Sequence, residues 1–335
     1  MTYRVTVIPG DGIGPEVTKA TTRAIDATGV KIQWEQHEAG LDAFKNQGSP
    51  LPQSTIDSIK DTKVALKGPT TTPVGSGHKS VNVALRQELD LYACIRPIKS
   101  LVGVPTRFNH VDIVIFRENT EGLYTGQEIA ISNDLVLLLK ISSEPACTRI
   151  ARAAFEYAKK HGRKKVTAAH KANIIKLGDG LFLRCARKVA EEYPEIQYEE
   201  VIIDALCMHL VTKPERFDII VLENLYGDIV SDLCAGLVGG LGVVPGSNIG
   251  QKAAIFEAVH GSAPDIAGKG IANPTALMQS GVMMLEYLGE MQAAAKLQDA
   301  IHSSLANKNI CTVDLGGCSS SLNFTDAVIA AIQKG

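Results

Sequence analysis

Apolar and polar residues alternate in blocks along the 335-residue chain, and these blocks predict its secondary structure. Strand-like runs rich in β-branched residues occur at Tyr3 to Ile8, Lys165 to Ala169 and Phe217 to Leu222. Each run is followed by a segment in which apolar residues recur at helical spacing. This order is typical of sheets with parallel strands whose faces are covered by helices. The pattern therefore predicts an α/β fold.

Two helices have well-marked starts. Pro15 suits the first turn of a helix that ends before Gly29, and its core-facing residues are predicted to be Val17, Ala20, Ala24 and Ile25. Further along, Asn273 can cap a helix while Pro274 takes its first position, where a missing N–H costs nothing. Both helices are therefore predicted with defined N-termini.

The segment from Leu135 to Leu139 is an apolar run between Asp134 and Lys140 that is too short for a buried helix. We interpret it as a strand. An apolar strand is usually buried or paired rather than left as an open edge, and one partner that could cover it lies across a subunit interface.

The composition limits the classes of function. Hydrophobic residues make up 45% of the chain and charged residues 21%, which is ordinary for a compact globular protein. The formal net charge of -2 provides no basic face for phosphates, so we expect no nucleic-acid partner. The longest uncharged stretch, between Asp232 and Lys252, is broken by glycines and Pro245, so we expect no membrane span.

The sequence also suggests a compartment. The N-terminal segment has neither the apolar stretch nor the cleavage site of a secretory signal. The seven cysteines are scattered, odd in number and without a CxxC pair. Reduced thiols fit this pattern best, so we expect a cytoplasmic location.

A glycine-rich loop, Gly10 to Pro15, follows the first strand and opens the first helix. This is the setting of a dinucleotide-binding fingerprint, but only Ile13 separates Gly12 from Gly14, where the fingerprint needs two residues. The spacing therefore favours a glycine turn without a phosphate role, and it argues against a standard Rossmann site.

Two aspartates form a candidate metal site. Asp228 and Asp232 lie four residues apart, so on a helix both carboxylates point the same way. Oxygen ligands of this kind suit Mg²⁺ or Mn²⁺. Spacing alone favours a solvated acidic helix face. The strand that ends just before Asn224 changes that balance, because α/β sheets place ligands at strand ends.

Polar side chains elsewhere suggest a substrate with several carboxylates. Arginine binds carboxylates through its planar fork of donors, and three arginines lie at the edges of apolar segments: Arg86, Arg96 and Arg117. Singly, each arginine is better explained by a surface ion pair, and only together do the three suit a polycarboxylate. Neutral polar groups lie just upstream at Ser80 and Asn82, and proton-transfer candidates lie at Tyr124 and Lys171.

These residues lie in motifs by which the chain resembles the decarboxylating dehydrogenases that act on isocitrate, 3-isopropylmalate and homoisocitrate. The resemblance extends from IPGDGIGPE near the N-terminus to DLGG near the C-terminus. Its most specific motifs are Ser80 to Tyr92, Arg117 to Tyr124, Ala169 to Asn173, Tyr226 to Asp228 and His260 to Asp265.

The resemblance implies a two-domain α/β fold that differs from the standard Rossmann fold. Residues 1–97 and 250–335 would form a large cofactor-binding domain, and residues 98–249 a small domain with the subunit clasp and the metal site. Subunits of this family pair and share active sites, so a homodimer or larger homo-oligomer is expected. The clasp region, Gln127 to Lys140, is more apolar in this chain than is usual, which leaves the oligomer size open.

The resemblance also assigns roles to the candidate residues. Arg86, Arg96 and Arg117 would bind substrate carboxylates. Asp228 and Asp232 would hold Mg²⁺ or Mn²⁺ together with Asp204 of the partner subunit. Two further roles are implied: Lys171 of the partner subunit would take the hydroxyl proton, and Tyr124 would protonate the enol intermediate.

Substrate and cofactor are narrowed by a few positions. Ser80 and Asn82 can hydrogen-bond an extra carboxylate, whereas an apolar substituent would leave each unpaired at a cost of about 1 to 3 kcal/mol, so isocitrate is favoured. Asp265 can accept bonds from ribose hydroxyls but would repel a 2′-phosphate, so NAD is favoured over NADP. Other cofactor contacts implied by the resemblance are Thr72, Glu257, His260, Gly261, Ala263, Ile266 and Asn273, although Asn273 is equally well explained as a helix cap.

The sequence thus predicts metal-dependent oxidative decarboxylation of isocitrate to 2-oxoglutarate and CO₂ with reduction of NAD, a reaction of the tricarboxylic acid cycle. Two alternatives stay open: a homoisocitrate or 3-isopropylmalate dehydrogenase, and a subunit of a hetero-oligomeric isocitrate dehydrogenase. Regulatory subunits usually lack some of the metal aspartates or the Tyr–Lys pair, all of which this chain retains.

Overall fold

The computed structural model describes residues 2–71 and 79–334, and these residues form twelve strands and eleven α-helices. The strands are β1 Tyr3–Ile8, β2 Ile32–Gln36, β3 Val64–Lys67, β4 Ala93–Lys99, β5 Asp112–Glu118, β6 Glu128–Ser132, β7 Leu135–Leu138, β8 Lys165–His170, β9 Gln197–Ile202, β10 Ile219–Leu222, β11 Pro245–Ile249 and β12 Ala254–Ala258. The helices are α1 Gly14–Ala27, α2 Leu41–Gln47, α3 Gln53–Thr62, α4 Val81–Glu88, α5 Glu144–His161, α6 Gly178–Ala190, α7 Ile203–Thr212, α8 Asn224–Leu237, α9 Thr275–Tyr287, α10 Met291–Leu305 and α11 Ser321–Lys334.

One ten-stranded sheet runs through the protein in the order β2-β1-β3-β12-β11-β4-β5-β10-β8-β9. Its two wings are parallel, whereas β12, β11, β4 and β5 are joined by antiparallel pairing in the middle. The predicted α/β fold is therefore confirmed, with a mixed sheet in place of a standard Rossmann sheet. The predicted domain boundary at residues 97 and 98 lies within β4, and the division into two domains stays a prediction.

Helices cover both faces of the sheet and form three apolar clusters. The largest joins α1 and α9 to α11 with α7 and α8, a second lies under α5 and α6, and a third lies under α3 and α4. Because strand side chains alternate between faces, β4 presents Cys94 and Arg96 on one face and Ile95 on the other. The middle of the sheet thus has a charged face and an apolar face.

The two predicted helices are present. Helix α1 buries Val17, Ala20, Ala24 and Ile25, as predicted. Helix α9 begins at Thr275, one residue later than predicted, and the Asn273 side chain accepts a hydrogen bond from the Thr275 N–H at 3.0 Å. Strand β10 begins at Ile219 instead of Phe217, because a 3₁₀ turn at Pro214–Arg216 occupies the Phe217 N–H.

The segment predicted as an apolar strand is β7, which pairs with β6 in a two-stranded ribbon. Every residue of both strands is exposed in the single chain. The prediction of a strand is confirmed, and its apolar side chains, such as Leu135 and Leu138, are covered by nothing in the described part of the chain.

The glycine loop packs against neighbouring chain segments. Gly10 and Gly12 both have positive φ, and a Cβ would lie 2.1 Å from the Pro69 carbonyl oxygen at Gly10 and 2.0 Å from the Ser262 carbonyl oxygen at Gly12. Asp11 is buried between them and accepts backbone N–H groups of Leu41, Asp42 and Thr71. Close backbone packing therefore explains these glycines, as the spacing suggested.

Candidate active site

A cavity of about 120 Å³ lies on the charged face of the central strands. Its lining includes Asn82, Arg86 and Arg96, which the sequence associated with substrate, and Glu257, His260 and Gly261, which it associated with cofactor. Residues far apart in the chain are thus gathered where β4, β11 and β12 meet. A larger cavity of about 470 Å³ lies beside α1 and β2, but no predicted site residue lines it.

Arg86 is the least neutralised of the three arginines. It lies buried on α4, its only acidic neighbour within 4 Å among the described residues is Glu257 at 3.8 Å, and its Nε has no hydrogen-bond partner among them. Burial, followed by the charge of Arg117, lowers the pKa of its guanidinium. A buried cation without a close counter-ion is a natural site for an anionic group.

Arg96 and Arg117 reach α8 from neighbouring strands. Arg96 donates to Ser231 Oγ at 2.5 Å and Asp232 Oδ1 at 3.0 Å. Arg117 is only 1% exposed, pairs with Asp228, and donates to Asn224 Oδ1 at 2.8 and 2.9 Å. These contacts bring both arginines to one face of α8.

The close approach of Arg117 requires a glycine on α8. A Cβ at Gly227 would lie 2.5 Å from Cγ of Arg117. The sequence did not single out Gly227 or Asn224, and the available signal was a glycine inside an otherwise regular helical pattern.

Asp228 and Asp232 lie one turn apart on α8, as their spacing predicted. Their side chains remain 39% and 55% exposed beside the two arginines. Burial opposes ionisation of Asp228, but Arg117 and the Tyr124 hydrogen bond outweigh it and lower its pKa. Two accessible carboxylates one turn apart suit a hard divalent cation, so the donor set fits Mg²⁺ or Mn²⁺.

Tyr124 lies on a 3₁₀ turn after β5 and joins this group. Its Oη donates to Asp228 Oδ2 at 2.6 Å, and the Arg117 guanidinium carbon lies 4.9 Å from its ring centroid. Burial, followed by the hydrogen bond to Asp228, raises the pKa of the phenol. A protonated phenol is therefore held beside the arginines at neutral pH.

Lys171 and Asp204 form a separate pair. Lys171 Nζ contacts Asp204 Oδ1 at 2.5 Å, and the Lys171 backbone N–H is fixed by Asp179 at 2.6 Å. Within residues 2–71 and 79–334, no three acidic, histidine or cysteine side chains are placed to hold one metal. Asp204 therefore does not join Asp228 and Asp232 in the single chain.

Three polar side chains that contact one another, Lys67, Glu257 and Asn248, line the cavity on its buried side. Lys67 Nζ contacts Glu257 Oε2 at 2.6 Å, and Asn248 donates to Glu257 Oε1 at 2.6 Å. Although burial opposes ionisation of Glu257, Lys67 and then Arg86 lower its pKa to about 2. The sequence missed Lys67, whose one signal was a lysine at the end of an apolar strand.

The cofactor-associated loop follows β12. His260 Nε2 is buried without a hydrogen-bond partner in the described residues, so the loop can receive a ligand group there. Asp265 is exposed and free of ion pairs within the part of the chain that is described, and Ala263 adopts a positive φ of 37°. Beside them, Ile266 packs against the large apolar cluster. This arrangement fits a nucleotide with polar hydroxyls.

The remaining predicted contacts are less tightly placed. Asn273 is occupied on both sides of its amide, donating to Asp314 at 2.9 Å and accepting from Thr275. Ser80 is exposed just before α4, and Asn82 lines the cavity one turn from Arg86. Thr72 lies outside the described residues.

Known proteins resemble this chain over nearly its whole length. The profile of the isocitrate/isopropylmalate dehydrogenase family matches residues 4–332. The catalytic subunit 5 of the mitochondrial NAD isocitrate dehydrogenase of Arabidopsis thaliana is 52% identical over 96% of this chain and 87% of its own length. The chloroplastic 3-isopropylmalate dehydrogenase of Solanum tuberosum is 51% identical over 92% of this chain and 86% of its own length.

A solved structure agrees with these sequences. The isocitrate dehydrogenase of Methylococcus capsulatus has a TM-score of 0.96 and 48% identity, and the match covers 99% of both chains. The fold of this chain is therefore that of a solved relative over nearly its full length.

The relatives correct one prediction from the sequence. The matching isocitrate dehydrogenase subunits of Arabidopsis, Drosophila and Dictyostelium are named as mitochondrial, so the expected cytoplasmic location is wrong. Free thiols do not distinguish one reducing compartment from another.

The relatives also fail to support a homodimer. Their names distinguish catalytic, regulatory and alpha subunits.

The profile match over nearly the whole chain and the identities near 50% agree with the geometry of the site, and this chain belongs to the isocitrate/isopropylmalate dehydrogenase family.

Proposed function

We propose that this chain catalyses the oxidative decarboxylation of isocitrate to 2-oxoglutarate and CO₂, with NAD as oxidant and Mg²⁺ or Mn²⁺ at Asp228 and Asp232. One observation carries the proposal: Arg86, Arg96 and Arg117 converge beside these carboxylates and Tyr124. Three guanidiniums at one site match a small tricarboxylate far better than a neutral or basic substrate.

The arginines bind and orient the substrate. Arg86 provides a positive charge inside the cavity that only Glu257, at 3.8 Å, offsets among the described residues. Arg96 and Arg117 can exchange their bonds to aspartate for bonds to substrate carboxylates. Asn82 and Ser80 lie at the start of α4, where their polar groups would meet the carboxylate that distinguishes isocitrate from isopropylmalate. Fixed donors at several carboxylates hold the substrate in one orientation.

Proton transfers fall to two side chains. Tyr124, whose phenol stays protonated at neutral pH, donates the proton that converts the enol to the product. Lys171 of a second chain accepts the proton of the substrate hydroxyl as its neutral amine, a form that a bound divalent cation nearby would favour. A second chain is needed because the pair of Lys171 and Asp204 lies apart from Asp228 within one chain. When bound, the nicotinamide accepts the hydride of the oxidation and the metal ion stabilises the negative charge that develops as CO₂ leaves.

The separation of Lys171 from Asp228 also bears on how subunits assemble. We propose that a second copy or a homologous subunit covers the ribbon of β6 and β7. Further exposed apolar side chains are Met208 and Val211 on α7 and Ile229 on α8, close to Asp204 and Asp228 in sequence. Large exposed apolar surface is typical of a protein–protein contact, and we expect a partner seated on these elements to supply its Lys171 to the site.

The decisive experiment measures kcat/KM of the purified chain with isocitrate, homoisocitrate and 3-isopropylmalate, each with NAD and NADP, with and without Mg²⁺ or Mn²⁺. The highest value is expected for isocitrate with NAD and metal. A higher value with 3-isopropylmalate would support the relationship to the Solanum enzyme and refute the proposed substrate. Absence of activity with all three acids would favour a regulatory subunit.

A further inference from the structure

A second cavity of about 360 Å³ lies on the apolar face of the central strands, opposite the candidate active site. It lies between α5 on one side and α9 with the start of α10 on the other. Its volume is within the range of roughly 300 to 1,000 Å³ that is usual for small-molecule sites. None of the predicted substrate, cofactor or metal residues that the structure describes lines it.

The two cavities share the strands that separate them. Phe256, Ser247, Ile95 and Phe116 are paired side by side across β12, β11, β4 and β5, and all of them line the second cavity. Directly paired residues point to the same face of a sheet, and the next residue along each strand points to the other face. Thus the neighbours of Ile95, Phe116 and Phe256 in the chain are the site residues Arg96, Arg117 and Glu257.

Five phenylalanine and tyrosine rings line the cavity. They are Tyr92, Phe116, Tyr157, Phe256 and Tyr287. Phe116 and Tyr157 meet edge to face at 5.2 Å between centroids, and Phe256 and Tyr287 lie 5.6 Å apart. Tyr92 already attracts a cation, because the guanidinium carbon of Arg149 lies 4.9 Å from its ring centroid. Electron-rich ring faces of this kind favour positively charged ligands.

The charged groups at the cavity also favour a positively charged ligand. Glu156 on α5 and Glu286 on α9 line it, and neither carboxylate takes part in a hydrogen bond or ion pair within the described residues. Burial raises the pKa of Glu286, although the charge of Lys160 opposes this shift. The basic residues at the cavity are Lys160 and His161, and burial lowers the pKa of His161, so its ring is uncharged at neutral pH.

We propose that this cavity binds a small organic monocation with an aromatic body, whose positive charge lies between Glu156 and Glu286 and whose ring packs among the tyrosines. Two acids facing one charged base leave the cavity with negative charge to neutralise. The aromatic rings supply apolar contacts for the body of the ligand and cation–π contacts for its charge. The inference concerns binding alone and does not depend on the proposed reaction.

The chain provides a specific way to observe this binding. Met283 and Met291 line the cavity, whereas Met208 is exposed on α7 and does not. Protein labelled with ¹³C at the methionine methyl groups would be titrated with benzyltrimethylammonium, benzyl alcohol and benzoate, which differ mainly in charge. The cation is expected to shift the Met283 and Met291 signals saturably without moving Met208. Benzyl alcohol is expected to bind at least about tenfold more weakly, and benzoate not at all.

Variants separate the carboxylates from general surface charge. Glu286→Gln should weaken binding of benzyltrimethylammonium about tenfold and leave benzyl alcohol unaffected. Glu191→Gln, an equal change of charge at a residue outside the cavity, should change neither. Ala153→Phe should fill the space and abolish the shifts with both ligands. Equal affinity for cation and alcohol, or unchanged cation affinity in Glu286→Gln, would overturn the proposal.

Discussion

At the scale of single residues, the buried contact between Lys67 and Glu257 shows how much the site depends on compensation of charge. Both side chains are almost fully enclosed, and removing one partner would leave an uncompensated ion in the interior. Breaking such a pair typically costs about 3 to 5 kcal/mol, whereas removing both charges costs much less. The pair therefore links the stability of the site to its electrostatics.

We predict that Lys67→Met lowers the free energy of unfolding by about 3 to 5 kcal/mol at pH 7, and that adding Glu257→Gln restores most of the loss. The measurement is urea denaturation of the two variants and the parent. A double variant as unstable as Lys67→Met would show that packing around the lysine stem, and not charge, is the main contribution.

The pair of Lys67 and Glu257 makes the stability of the protein depend on pH. The folded protein lowers the pKa of Glu257 from its ordinary value of 4.5 to about 2, so the stabilisation is complete above 4.5 and is lost as the pH falls toward 2. Between these limits, the parent should lose stability faster on acidification than Glu257→Gln. Parallel acid-denaturation curves of the two proteins would contradict this assignment.

Asp265 is an exposed carboxylate without an ion pair among the described residues, and it is expected to select NAD. In Asp265→Lys with Ile266→Tyr, a positive charge and a phenol would face a 2′-phosphate. The ratio of kcat/KM with NADP to that with NAD should rise at least about tenfold, or roughly 1.4 kcal/mol. Asp265→Asn, which removes the repulsion without adding an attraction, should give a smaller rise. An unchanged ratio in the double variant would count against the role of Asp265.

At the scale of elements, the sequence of α8 must both stabilise the helix and leave space for a site residue beside it. Its N-terminus is capped by the Glu223 side chain, and its face toward β5 must leave room for Arg117 at Gly227. A glycine within a helix ordinarily costs about 0.5 to 1 kcal/mol relative to alanine. Glycine is nevertheless needed at position 227, because a methyl group there would displace Arg117.

Gly227→Ala is expected to raise KM for isocitrate at least about tenfold, because displacement of Arg117 removes charge-assisted hydrogen bonds of roughly 1.5 to 3 kcal/mol. Gly236→Ala on the same helix is the matched control, since no described atom lies within 4 Å of a Cβ at that position. The control should raise stability by about 0.5 to 1 kcal/mol and leave KM unchanged. Equal KM values in the two variants would remove the role assigned to Gly227.

Local sequence patterns predicted the elements well and their tertiary contacts poorly. Helix α1 was predictable because Pro15 and the spacing of Val17 to Ile25 act within one segment. Lys67 was not, because its partner Glu257 lies 190 residues away and no local pattern connects them. The spacing of Asp228 and Asp232 predicted their common face, but their contacts with Arg117 and Arg96 depend on pairing of distant strands.

At the scale of the whole molecule, the active-site groups divide into two sets. Asp228, Tyr124 and the arginines meet within one chain, whereas Lys171 and Asp204 stay apart from them. A site completed by a second subunit explains both the division and the exposed ribbon.

This division can be tested by complementation. Asp228→Asn and Lys171→Met should each be inactive alone, but co-expression at equal levels should restore about one quarter of the parent activity, because half of the pairs formed at random contain one intact site. Activity no higher than that of the single variants would argue for sites contained in one chain. Co-expression of Asp228→Asn with Asp232→Asn, which alter the same side of the site, is the control and should stay inactive.

The order of strands has a consequence for synthesis of the chain. Strand β3 pairs with β12, and α1 packs with α11, so the first sixty-seven residues are completed by residues after 253. During translation, the early strands therefore wait with an unpaired edge until nearly the whole protein has emerged. Long sequence separation of contacts slows folding, and an open edge invites pairing with other chains. We conclude that the part of the sheet formed by the first sixty-seven residues and the residues after 253 is the last to fold on the ribosome. It is also the part of the nascent protein most in need of a chaperone.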